Sequence, residues 1–136
     1  MSNFNAPVTV IPSPQGNPVN GNSMSGNIIS SPTLLYLMSK CSYAFVWTGT
    51  SPVGAISIQG SNDFTLNNAL NPYNPGTWNT LTFNYNGSPV TSVPVTGNTG
   101  NGIIDLTATG IWAVRCVYTA TSGSGALTAT FCSKAG

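Results

Sequence analysis

The chain of 136 residues contains no histidine and no glutamate. Without imidazole there is no Ser-His-Asp or Cys-His nucleophile, no histidine general base and no ordinary zinc site. A glycosidase would have to build its carboxylate pair from Asp63 and Asp105, the only two acids, which stand isolated on different segments. Charge is scarce in both signs, with 4% of residues charged against about 25% in ordinary domains. The basic residues are Lys40, Arg115 and Lys134. A net charge of +1 leaves no electrostatic footprint for nucleic acid, whose affinity comes largely from Lys and Arg displacing phosphate counter-ions. No stretch approaches the ~20 apolar residues of a membrane span. Met1-Ser2-Asn3-Phe4-Asn5 has no basic region followed by an apolar run, so no Sec-type signal is expected. These absences lead to the expectation of a non-enzyme with no cofactor and no nucleic-acid or membrane partner.

What is present favours strands. Asn, Ser, Thr and Gly supply the polar coverage, and these residues suit turns and strand faces while competing poorly for helix interiors. The composition predicts an all-β protein of one domain. Cys41, Cys116 and Cys132 form an odd set without CxxC spacing, each inside a predicted strand. Reduced, buried thiols are the expected state, with a disulfide between two of them left open. A soft metal would lack a fourth ligand. Soluble monomers normally keep apart by charge and blunt their exposed strand edges with Lys or Pro. A chain this poor in charge is expected to use its surface in a stable assembly.

Taken in order, residues 1–31 read as an extended arm rich in Pro, Asn and Gly with no core of its own. Either it is floppy, or it orders against a neighbouring subunit through Val8, Val10, Ile11, Ile28 and Ile29; the second is favoured because isolated apolar anchors would otherwise be exposed. The domain proper is expected over residues 32–136. Cys41, Tyr43, Phe45 and Trp47 alternate with polar or small residues, Ser51-Pro52-Val53-Gly54 is expected to turn the chain, and Ile56 and Ile58 point inward from a short strand. Ser61 to Thr77 is a long loop with Phe64, Leu66, Tyr73 and, at its end, Trp78 as its apolar content. Asn86-Gly87 predicts a hairpin turn, and Pro89 and Pro94 push the following segment to a sheet edge. Ile111 to Thr119 and Ala126 to Phe131 alternate strongly, and Ala120 to Gly125 between them is expected to reverse the chain into a hairpin. About seven to nine short strands in this pattern predict an antiparallel two-sheet β-sandwich, jelly-roll or immunoglobulin-like.

Two candidate sites emerge. Phe64, Tyr73 and Trp78 form a loop that could meet a partner or stack on a glycan, although aromatics in such patterns more often belong to a core. Arg115 is expected either to pair with Asp105 or to make an intersubunit contact. Ser61-Asn62-Asp63 could offer oxygens to calcium, but Asn and Asp after a strand more often satisfy their own turn.

Three stretches carry a resemblance. Ile56-Ser57-Ile58-Gln59-Gly60-Ser61-Asn62-Asp63, then Ala113-Val114-Arg115-Cys116-Val117-Tyr118-Thr119, then Ala126-Leu127-Thr128-Ala129 with Lys134, resemble a pattern in small structural proteins of bacteriophages. Phe64 stands where that pattern has glycine, and Trp78 follows at a longer distance. The resemblance implies a virion component without enzymatic activity, located in the virion and assembled in the host cytoplasm. The expected role is a capsid decoration or cement subunit contacting the major capsid protein or other virion proteins. Symmetric closure would cover its strand edges, so a homo-oligomer, for which a trimer is the guess, is expected. The alternative is a receptor- or carbohydrate-binding module of a phage tail or spike.

Overall fold

The computed structural model describes residues 9–10, 15–35, 38–65, 72–106 and 110–134. Its regular elements are strands: β1 (Thr9–Val10), β2 (Gln15–Ser23), β3 (Ile28–Ile29), β4 (Thr33–Leu34), β5 (Lys40–Ser61) and β6 (Asn79–Thr80), followed by β7 (Phe83–Tyr85), β8 (Ser88–Val90), β9 (Val93–Val95), β10 (Thr99–Leu106) and β11 (Ala113–Lys134). All belong to one hydrogen-bonded sheet, antiparallel except for the short β1–β4 pair. The all-β, antiparallel expectation holds, but a single sheet stands where two separate ones were expected.

The reason lies in β5 and β11, each 22 residues long and paired with each other from Lys40↔Lys134 to Ser61↔Ala113. The two alternating runs of β11 therefore do not pair with each other as a hairpin. The expected turns at Ser51–Gly54 and Ala120–Gly125 fall at the same level of this ribbon, where the register shifts between Ala120 and Ser124. Ser51 (φ 47°) and Gly123 (φ 81°) take left-handed conformations there. Each strand gains one extra residue across the shift, as in a β-bulge, and the local bend increases. The bulge also switches parity: Tyr43, Phe45 and Trp47 are buried before it and Ile56 and Ile58 after it, as are Tyr118 and Cys116 against Leu127, Ala129 and Phe131. The same face of the ribbon is thus apolar on both sides of the bulge, and both halves contribute to one core.

Shorter strands line each half. Toward the Lys40 end, β10 pairs with β5 and β2 with β11; toward the Ser61 end, β9 and β6 pair with β5, and β3 and β4 with β11. Asn86 (φ 52°) and Gly87 (φ 81°) make the expected tight turn between β7 and β8. Pro89 sits in β8, which ends the strand order, and Pro94 lies in β9, which among the described residues pairs with β5 alone, as suits residues without a ladder donor.

Within residues 15–31, read from sequence as arm, β2 and β3 lie along β11 of the same chain, with a turn at residues 24–26 between them. Val19, Met24 and Ile28 enter the core, so the chain's own packing takes up Ile28, while Ile29 is 59% exposed. Val10 pairs in parallel with Leu34. Val8 and Ile11 lie outside the described residues, as does Leu66.

Candidate functional site

The loop after β5 is tied down by short side chains. Asp63 Oδ1 accepts hydrogen bonds from Ser61 Oγ (2.7 Å) and from the backbone N–H of Thr77 (2.7 Å). These bonds stabilise the carboxylate and hold the Asp63 pKa below its ordinary value, the Thr77 amide contributing most. Ser61 Oγ in turn accepts from the Phe64 N–H at 3.2 Å, and Asn62 Oδ1 from the Trp112 N–H at 2.8 Å. The oxygens considered for calcium are thus engaged by the chain's own donors, which is the turn reading. Further along, Thr65 and Asn74 pair through both backbone groups, and Gly76 (φ 84°) passes so close to Phe64 that a Cβ would stand 3.0 Å from Phe64 Cβ.

This closure brings the three loop aromatics together. Phe64 is 1% exposed and packs with Leu34 and Ala113 in a small core separate from the main one, with Tyr73 and Trp78 half-buried against it. The Phe64 ring meets Tyr73 edge-on at 6.2 Å and Trp78 at 5.8 Å. Trp78 Nε1 donates to the Pro75 carbonyl at 2.7 Å.

Arg115 completes the cluster from β11. Its guanidinium carbon lies 4.3 Å from the centroid of the Trp78 ring, and its Nε donates to Gln59 Oε1 at 2.8 Å. A cation over an indole is worth about 0.5–1 kcal/mol at a partly exposed site. Burial lowers the Arg115 pKa without threatening its charge. The expected Arg115–Asp105 pair does not form, because register places Arg115 opposite Gln59 and Asp105 opposite Ser42 at the other end of the ribbon. Gln59 was not singled out from sequence, and Asn62 only within Ser61-Asn62-Asp63 as a calcium or turn residue. The β5–β11 register brings Gln59 opposite Arg115, and its continuation one residue past Ser61↔Ala113 brings the Trp112 N–H to Asn62.

Beside the loop, Gly60, Ser61, Asn62, Asp63, Thr77, Asn79, Leu81 and Ile111 line a cleft of about 350 Å³. Among the described residues no group of three or more His, Cys, Asp or Glu side chains is placed to hold a metal ion. Cys41 and Cys116 are buried free thiols, both pushed up to about 12 chiefly by burial, and Cys132 is free and half-buried. No helix among the described residues is long and apolar enough to cross a membrane.

No family model matches the chain, and no curated protein matches it in sequence. Its fold is similar to that of the SPBc2 prophage-derived protein YomS, known from a crystal structure, with a TM-score of 0.59, 10% identity, and 88% of this chain covered against 93% of that one. At this identity the likeness concerns the fold alone.

Proposed function

We propose that the chain is a non-enzymatic structural protein of a bacteriophage virion, and more finely a capsid decoration or cement subunit. In this role the bent sheet acts as the two layers of a sandwich, and its strand edges and N-terminal residues meet the coat shell and further copies, with a trimer as the expected closure. The observation that carries this reading over a glycan-binding module is the state of Trp78. Its ring has the Arg115 guanidinium over it and Phe64 beside it, and its N–H is bonded to the loop. A stacking platform needs an open aromatic face, whereas a pinned loop suits a surface that keeps its shape on assembly. The fold likeness to a prophage-derived protein supports the same context.

The test is the mass of the full-length protein by light scattering, with co-sedimentation on empty phage capsids and a glycan array alongside. A truncation removing residues 1–8 leaves every described strand in place. A defined oligomer or capsid binding, weakened by the truncation, supports the proposal. Monomers that ignore capsids and bind glycans overturn it.

A further inference from the structure

The aromatic loop covers only part of the sheet's outer surface. Alternation puts Ala113, Arg115 and Val117 of β11 on the face turned away from the main core, with Ser61, Gln59 and Ser57 of β5 opposite them. On the other side of β11, Leu34 stands opposite Ala113 and Ile29 opposite Val117. Phe64 packs on Leu34 and Ala113, and Trp78 reaches as far as Arg115. There the cover ends: on the next rung Val117 and Ser57 are half-buried and Ile29 is 59% exposed. The bare strip continues through Thr119, Ala55 and Pro94 and carries no charge of its own.

Arg115 stands at the border of this strip with most of its bonding capacity unused. Its Nε is taken by Gln59 and its guanidinium carbon is held over the Trp78 ring. Among the described residues its Nη groups have no acceptor, and no carboxylate pairs with it. The group is half-buried, and two contacts fix its position. A guanidinium held in this way has given up much of its side-chain freedom before a partner arrives, so binding costs less entropy. Arg and Trp beside exposed aliphatic side chains also make the composition typical of interface hot spots.

We propose that this strip docks a segment of a different protein, one that presents a carboxylate to the Arg115 Nη donors and an apolar side chain to Ile29 and Val117. The guanidinium fork matches a carboxylate, and hydrogen bonds between cation and anion are among the strongest a protein makes. A lone cation bordered by an uncharged apolar strip suits a protein partner, whereas nucleic acid needs several cations on its phosphates. A second copy does not supply the acid. Asp63 is engaged by Ser61 and Thr77, and Asp105 shares its face with Lys40 and Lys134. The inference stands apart from the virion reading, because it fixes the chemistry of the partner and not its source.

The test is a nitrogen–proton correlation NMR titration of the native full-length protein with the peptide acetyl-Leu-Asp-Leu-amide, its Asn counterpart and sodium acetate. The Asp peptide should shift the Arg115 Nε–H, the Trp78 indole N–H and the Ile29 amide together and saturably. Arg115→Gln should weaken its binding by about tenfold, as loss of a hydrogen bond to a charged group does. Ile29→Ser changes an exposed side chain outside the loop and should also weaken it while leaving the signals of the loop in place, which separates a lost contact from a lost fold. The proposal is overturned if no saturable shift occurs, if the Asn peptide binds equally well, or if the shifts fall at Lys40 and Lys134. Acetate as effective as the peptide would mean a small-anion site without the apolar strip. Shifts of the same signals with protein concentration alone would make the occupant a second copy; either result also overturns it.

Discussion

Replacing Gly100 with alanine should destabilise the protein well beyond what an exposed strand glycine would cost. Register sets Gly100 opposite Trp47 and Gly102 opposite Phe45, so the bare glycine backbone of β10 is covered by aromatic rings from β5. The Phe45 and Trp47 rings stack at 6.0 Å and Tyr85 stacks on Phe45 at 6.3 Å. A Cβ at position 100 would fall inside the Trp47 ring, 2.6 Å from Cε2 and closer still to Cζ2 and Cη2. The indole has little room to retreat, since Phe45 backs it and its Nε1 donates to the Gly97 carbonyl at 3.1 Å. Overpacking costs about 1–3 kcal/mol, and displacing the ring forfeits a hydrogen bond worth about 1 kcal/mol. Alanine recovers about 0.4–1 kcal/mol by restricting the unfolded chain, leaving a net loss of about 1–3.5 kcal/mol. Urea unfolding followed by tryptophan fluorescence measures this. Gly26→Ala is the control: its Cβ would meet nothing within 4 Å and its φ is not positive, so it should be neutral or slightly stabilising. If Gly100→Ala unfolds at the same urea concentration as the parent protein, the aromatic cover does not require glycine and the reasoning fails.

Met24→Ala should cost about 2–5 kcal/mol in the same assay, because Met24 is fully buried; a change within error would mean that this segment is not held in the core. The Asp63 carboxylate, its pKa held down by the Thr77 amide and Ser61 hydroxyl, should keep the loop closed at neutral pH. Its contribution is fully present above the unfolded value of about 3.9 and is lost only as pH falls through the lower folded value. Trp78 fluorescence should therefore stay constant down to about pH 4 and change below it, and Asp63→Ala should show the open-loop signal at every pH. A transition in the parent protein near pH 6 would contradict the assignment. Native protein should expose one thiol to a labelling reagent and denatured protein three, since burial keeps Cys41 and Cys116 protonated and covered; fast labelling of all three without denaturant would refute their placement.

The sequence by itself determined the all-β class and the inward face of most strands, because side-chain alternation is a local property of two-residue period. Tyr43, Phe45, Trp47, Ile56, Ile58, Leu127, Ala129 and Phe131 are buried as that period requires, and the turn at Asn86-Gly87 needs only its own two positive φ angles. Trp112 is an exception, 38% exposed just before β11 begins. Only the tertiary structure decided what the glycine- and serine-rich breaks at Ser51–Gly54 and Ala120–Gly125 do. A left-handed residue serves equally well to reverse a chain or to bulge a strand, and the choice falls to bulging because the two breaks face each other across one ribbon. The N-terminal segment reads as an arm because its own pattern is weak, and it becomes a strand because β11 offers a ladder for it. The same dependence governs the charged residues. Arg115 beneath reach of Gln59 and Trp78, and Lys40 opposite Lys134, are products of the register between β5 and β11, which joins residues far apart in sequence and so leaves no trace in either strand alone.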